Sequence, residues 1–301
     1  MGLTGVHLLL TYKCTGECDH CFVWGSPFLE GTMILEGIGA IYNGAKELGT
    51  VEHVYFEGGE PFLYYPVMLK AMEEARALGF QCGIVTNGYW ITALDDTVEW
   101  LRPIAGIGVM DLSISSDLFH GEEGPEKEKV KVVEEAARQL GLPADVITIE
   151  EPCVEEAPGE KGEPIVEGSV RFRGRAVAKL VKGLPRRPWQ ELNECPYERL
   201  DDPKRVHIDY LGYVHLCQGL TLGNALERSL AQVMSEYDPI SHPIVGPLLS
   251  GGPAALVERY GLSHEEGYVE ACHLCYVARE MLRPQFPETL GPGQMYGEGL
   301  E

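Results

Sequence analysis

Short apolar runs and helix-spaced apolar positions alternate through the first half of the chain. Val6–Leu10 is an apolar run. An amphipathic stretch follows at Leu35–Leu48, then a strand-like Val51–Phe56, then a helical pattern at about Pro66–Leu78 closed by Gly79. The alternation continues with a strand at Gln81–Val85, a helix around Thr92–Leu101 and a strand at Val109–Ser115. A charged helix, Pro125–Leu140, ends at Gly141 and leads to a strand at Asp145–Glu150. Strands separated by helical segments of about 10–15 residues predict βαβ units and a parallel sheet, hence an α/β fold.

The unusual residues fall after these strands. A cysteine loop, Gly58-Gly59-Glu60-Pro61, Thr86-Asn87-Gly88 and Ser113–Asp117 all follow or close one. Parallel α/β folds bind ligands at the carboxyl ends of their strands, so four separate features are expected on one face. Pro152–Gly168 is rich in Pro, Gly and Glu and is expected to be a loop. Arg171, Arg173 and Arg175 alternate, which would place them on one face of a strand, either solvated or clamping an anionic group. From about Pro185 the pattern changes. A hairpin at Val206–Leu216 turning at Gly212 is expected, with helical pieces at about Leu226–Tyr237, Ala254–Tyr260 and Val269–Leu282. A Pro/Gly-rich tail starts at Pro284, and Phe286, Leu290 and Tyr296 could anchor it to the rest of the fold. The expected division is 1–184 for the α/β domain, 185–283 for a smaller module and 284–301 for the tail.

Composition narrows the partners. The 301 residues are 45% hydrophobic, enough for a large core. A formal charge of −22 makes a nucleic-acid backbone or an anionic membrane surface an unfavourable partner. No run approaches the roughly 18 apolar residues of a membrane span. Met1–Leu10 has no basic and then apolar signal pattern, so a cytoplasmic location is expected. Nine cysteines in a reducing compartment point to metal or redox roles rather than disulfides, though some can be plain buried hydrophobes.

Cys14, Cys18 and Cys21 lie within eight residues. Soft thiolates suit iron-sulfur clusters and zinc. Three of them hold three corners of a cubane and leave one iron open; a zinc site would draw a fourth ligand from His20 or a distant cysteine. Cys14-Thr-Gly-Glu-Cys18-Asp-His-Cys21, directly after the first strand, resembles the CxxxCxΦC signature of the radical S-adenosylmethionine (SAM) superfamily. The resemblance implies a partial (β/α)6 TIM-like barrel and a [4Fe-4S] cluster whose open iron binds SAM. It further implies reductive cleavage of SAM to a 5′-deoxyadenosyl radical, abstraction of a substrate hydrogen, and an external one-electron reductant such as flavodoxin or ferredoxin. Gly58, Gly59, Glu60 and Pro61 resemble the family's GGEP motif, where backbone carbonyls and the carboxylate would receive the SAM ammonium. Thr86 belongs to a segment similar to the family's third-strand TNG. Ser115 and Asp117 stand where members contact the SAM ribose or carboxylate. Gly174-Arg175-Ala176 resembles a GRA segment of two-cluster relatives, which brings Arg175 into the candidate cofactor site.

Cys195, Cys217, Cys272 and Cys275 form a second set. Four cysteines in this arrangement suit a zinc ribbon or a cluster. Gly212 followed by Cys217, then Cys272-His-Leu-Cys275, resembles the twitch domain, a shortened SPASM domain built of a β-hairpin and helices. That resemblance implies an auxiliary [4Fe-4S] cluster, closed by four thiolates and suited to electron transfer. Cys82 is expected in the core. Cys153 follows the fifth strand and is a candidate hydrogen-atom donor. Three functions are open. The first is oxidation of a small molecule, with the auxiliary cluster taking the electron. The second is modification of a peptide or protein by crosslinking, thioether formation or epimerisation; the first strand starts almost at Met1, so no leader-recognition domain is expected before Cys14. The third is a non-catalytic zinc or iron-sulfur module.

Overall fold

Five of the apolar runs pair side by side as β1 (Gly5–Leu9), β2 (His53–Glu57), β3 (Gln81–Thr86), β4 (Asp111–Ser115) and β5 (Ala144–Ile147), all parallel. The computed structural model describes residues 2–120, 125–156 and 164–299. Helices α1 (Leu35–Leu48), α2 (Tyr65–Ala77), α3 (Leu94–Ile107) and α4 (Pro125–Leu140) make the crossovers. The boundaries follow the periodicity closely, because each helix carries an apolar stripe that the sheet must cover. Ile38, Ile41 and Tyr42 of α1, and Met68 and Met72 of α2, are fully buried beneath Val54, Phe56 and Ile84 of the strands. The result is a mixed α/β fold, an open partial barrel.

A sixth parallel strand comes from further along. β6 (Cys153–Glu156) and β7 (Pro164–Glu167) form a separate antiparallel hairpin where a plain loop was expected; the intervening residues 157–163 lie outside the described residues. Arg171 and Arg173 lie on irregular backbone and Arg175 begins a short helix, α5 (Arg175–Lys179). The shared strand face expected for the three arginines is therefore not formed. After β8 (Arg187–Pro188), strand β9 (Arg205–Asp209) pairs in parallel with β1. Antiparallel β10 (Tyr213–Cys217) and β11 (Leu220–Asn224) extend the sheet beyond it, giving the order β11-β10-β9-β1-β2-β3-β4-β5. The expected hairpin thus exists, but its first strand is a barrel strand. Val206 and Ile208 alternate with polar His207 and Asp209, so one face of β9 joins the core and the other joins the lumen.

Helices α6 (Leu230–Ser235), α7 (Val245–Tyr260) and α8 (Ala271–Leu282) follow, with the two-residue β12 (Gly267–Tyr268) paired to β8. α7 starts well before the expected Ala254 because its pattern is broken by a kink at Gly251-Gly252 before Pro253. The hydrophobic core is continuous across both halves, from Val6 and Phe56 to Leu274 and Leu290. The tail packs against it. The Tyr296 hydroxyl donates to Gly219 O at 2.7 Å, and the Gln294 amide donates to Val23 O and Trp24 O at 3.2 and 3.1 Å. Among the described residues no helix is long and apolar enough to cross a membrane.

Candidate active site

The cysteine loop is built on an extension of the sheet. Past β1 and β2 the pairing continues as Gly59 N–H to Thr11 O at 2.7 Å and Glu60 N–H to Lys13 O at 2.9 Å. This approach requires glycine. A Cβ on Gly59 would sit 2.1 Å from Lys13 O, and Gly58 has φ +146° with its Cβ position 2.5 Å from Thr11 O. The paired glycines therefore admit the cysteine loop's own backbone. Cys14, Cys18 and Cys21 are partly buried around one cavity that Gly58, Gly59 and Asn87 also line. Burial pushes the Cys14 thiol up to about 11 and raises Cys21 as well. Both sulfurs receive N–H groups, Asn87 Nδ2 at 3.4 Å from Cys14 Sγ and Gly25 N at 3.2 Å from Cys21 Sγ. Three partly buried thiols on one cavity, two of them with N–H donors aimed at the sulfur, form a donor set that fits a thiolate-bound cluster.

Glu60 is fully buried, and its carboxylate is occupied by the chain. It accepts from Phe62 N and Thr86 Oγ1, both at 2.9 Å, and from Asn87 N at 2.8 Å. Burial raises its carboxyl to about 7 against these three bonds. Thr86 in turn accepts from Gly88 N and Trp90 Nε1, each at 3.1 Å. The structure thus places Glu60 and Thr86 in a knot tying the ends of β2 and β3, which holds Asn87 beside Cys14. Pro61 is buried at the start of the turn that follows.

Arg175 differs most from the expectation. It is 5% exposed, and its guanidinium donates to Cys18 O at 2.9 Å and Gly25 O at 2.7 Å. Its own N–H donates to Cys21 O at 2.9 Å. Gly174, with φ +61°, makes the contact possible, since a Cβ there would lie 2.6 Å from both Cys21 O and Phe22 Cα. Arg175 clamps the cysteine loop; it is neither a solvated residue nor aimed at a free anion.

Ser115 lines the cysteine cavity from the end of β4. Asp117 is buried; it accepts from Phe119 N at 3.0 Å and Ile149 N at 3.2 Å and pairs with His120 Nδ1 at 2.7 Å. Burial alone would depress His120, but Asp117 and the neighbouring Cys18 lift it to about 10; burial lowers His20 to about 4. Cys153 lies exposed on β6 and borders neither the cysteine cavity nor the barrel cleft, because the chain leaves the sheet after Ile147. Cys82 is buried in β3 as expected.

A wider cleft of about 620 Å³ opens beside the cysteine cavity and shares His20, Phe22, Glu57, Val85 and Ser115 with it. His7, Tyr55 and His207 line it from the strands. No motif marks these residues in the sequence. Their signal was present as polar residues interrupting apolar runs that a parallel sheet would otherwise bury on both faces.

Cys195, Cys217, Cys272 and Cys275 converge on one cavity. Burial raises the Cys195, Cys272 and Cys275 thiols, the last to about 11. Arg173 Nη1 lies 3.1 Å from Cys217 Sγ. Arg279 also lines the cavity, is 1% exposed and donates to Gln218 O at 2.9 Å; its Nε has no partner, and it pairs with no carboxylate among the described residues. A buried unpaired guanidinium is costly, and an anionic metal–thiolate group beside it would relieve that cost, so these residues fit such a group. Among the described residues neither cysteine set brings three sulfurs within 4.8 Å of one another.

Residues 8–149 match the sequence model of the radical SAM superfamily. The chain is 29% identical over 115 residues to the putative peptide biosynthesis protein YydG of Bacillus subtilis (strain 168), covering 38% of this chain and 36% of that protein. It is 28% identical over 156 residues to the tungsten-containing aldehyde ferredoxin oxidoreductase cofactor-modifying protein of Pyrococcus furiosus, covering 48% and 42%. The chain thus spans well under half the length of the curated relatives it matches. In fold it is similar to BtrN, crystallised with AdoMet and 2-DOIA (TM-score 0.53, 13% identity, 78% of this chain and 83% of that one). It is also similar to anSMEcpe with bound AdoMet (TM-score 0.50, 14% identity, 95% and 97%).

Proposed function

From the match of residues 8–149 to the radical SAM superfamily, we propose an enzyme with two [4Fe-4S] clusters that oxidises a small molecule held in the barrel cleft. The observation that carries this reading is the split of seven thiols into two sets. Three face the glycine-lined cavity and four face a second cavity beside the unpaired Arg279. When bound, the first cluster with SAM on its open iron supplies a 5′-deoxyadenosyl radical for hydrogen abstraction, and the second supplies an electron acceptor. The chain's residues do the positioning. Cys14, Cys18 and Cys21 hold the first cluster; Cys195, Cys217, Cys272 and Cys275 hold the second. Gly58 and Gly59 admit the loop, Ser115 lines the cavity that would receive SAM, and Asp117 holds His120 at the edge of that cavity. Arg173 links the two sets, with its guanidinium 5.3 Å from the Phe22 ring centroid and 3.1 Å from Cys217 Sγ.

A zinc ribbon fits the second set less well. Zn–S bonds of about 2.3 Å would hold four sulfurs roughly 3.8 Å apart, whereas among the described residues no three sulfurs of this set lie within 4.8 Å of one another. The cleft volume of about 620 Å³ is in the range of small-molecule sites. A second reading, a peptide substrate, is favoured by the sequence similarity to a putative peptide biosynthesis protein.

The reconstituted chain, incubated anaerobically with SAM and dithionite or a reduced flavodoxin, is expected to release 5′-deoxyadenosine. Cys14→Ala abolishes the release and Cys272→Ala retains it. Equal loss in both variants would count against the division of labour, and bound zinc with no iron would overturn the reading.

A further inference from the structure

Three adjacent parallel strands, β9, β1 and β2, each send one metal-ligating side chain into the barrel cleft. His7 and His207 stand directly across from each other in the β1–β9 register, and Glu57 closes β2 opposite Leu9, two residues beyond His7. The ligand atoms of all three lie within 4.8 Å of one another. Glu57 Oε1 is 2.5 Å from His7 Nδ1 and 3.5 Å from His207 Nε2. Bonds of about 2.0–2.2 Å to one metal ion would hold such atoms roughly 3.0–3.5 Å apart, so a small rotation of the rings suffices. From this arrangement we propose a divalent transition-metal site of the two-histidine, one-carboxylate type, suited to zinc, whose remaining positions open into the cleft and take an anionic oxygen of the substrate.

Hydrogen bonding alone accounts poorly for the cluster. The one polar contact of buried His207 among the described residues is Glu57 Oε1 at 3.5 Å, and no protein donor among them reaches Glu57 Oε2. Both face the cleft, where a ligand can reach them. The His7 ring is held in plane by stacking on Tyr55 at 4.7 Å and 15°. Three protein ligands leave a coordination position free, as in catalytic zinc sites. The neighbouring cations do not forbid the ion. Arg173 and Arg205 lie 3.5 and 3.7 Å from the carboxylate of Glu198, which offsets part of their charge. Their remaining positive potential favours an anionic rather than a neutral fourth ligand. The site rests on its own three side chains and stands whether or not the cysteine sets act as proposed above.

The test uses the full chain after anaerobic cluster reconstitution and desalting, titrated with Zn(II) against a chromophoric chelator while iron is counted in parallel. No SAM or reductant is present, so failed radical chemistry does not enter the result. The expectation is one zinc per chain beyond the iron. His207→Ala, His207→Gln and Glu57→Gln should each weaken it by about tenfold or more at unchanged iron content. Zinc-edge X-ray absorption of the wild-type chain, which depends on no variant, should show a nitrogen and oxygen shell. No bound zinc, equal affinity in every variant, or a sulfur shell would overturn the proposal.

Discussion

Replacing Arg175 by alanine should loosen the cysteine loop while leaving every thiol in place. Its guanidinium makes two short bonds, to Cys18 O at 2.9 Å and Gly25 O at 2.7 Å, from a position 5% exposed. Truncation leaves both carbonyls without their donors, at about 1–3 kcal/mol for each buried acceptor. Cys18 is partly exposed and its carbonyl can recruit water, whereas Gly25 is buried, so the total should be about 2–4 kcal/mol. For a chain of 301 residues, with an unfolding entropy of about 2.1 cal/mol/K per residue, that corresponds to a fall in Tm of roughly 3–6 °C. Thermal unfolding of the metal-free chain, followed by circular dichroism, reads this number directly. Iron per chain after reconstitution should fall toward the content of the second cysteine set alone. Arg175→Lys reaches one carbonyl at most and should give an intermediate loss. An alanine variant with unchanged Tm and full iron would refute the clamp.

Other outcomes follow from the same contacts. Gly59→Ala puts a Cβ 2.1 Å from Lys13 O, so the first set should lose its iron and SAM cleavage should fall at least about tenfold, with the second set's iron retained. Glu60 is raised by burial from 4.5 to about 7, so the folded chain holds a proton that the unfolded chain has released. Stability should therefore decline by about 3 kcal/mol as pH rises from about 4.5 to 7, and Glu60→Gln should flatten that interval in urea midpoints. The opposite slope would mean that the three donors to the carboxylate outweigh its burial. Tyr296→Phe removes the 2.7 Å bond to Gly219 O and should cost about 1 kcal/mol, read as a small drop in Tm.

Much of the fold was legible because helix and strand periods are imposed by burial. Leu35–Leu48 and Pro125–Leu140 were bounded to the residue, the first by its apolar stripe and the second by Pro125 at its start and Gly141 after its end. The strand-end motifs also converged as expected, around Cys14, Gly59 and Asn87. What a single sequence hid was tertiary pairing. Nothing local says that Arg205–Asp209 lies beside β1, or that Arg175 turns back onto Cys18 O and Gly25 O. The arginine alternation at 171, 173 and 175 suggested a strand, but Gly174 takes a left-handed φ to pass Cys21, which ends any extended run. His7, Glu57 and His207 were passed over because each is unremarkable alone, and only the sheet register brings them together.

The central claim, two clusters on two cysteine sets, is tested most directly by counting iron. The anaerobically reconstituted wild-type chain should hold about eight irons, and a variant with Cys14, Cys18 and Cys21 all replaced by alanine should hold about four, with the absorption of a closed [4Fe-4S] cluster. A variant with no iron, or with one zinc in its place, would contradict the account.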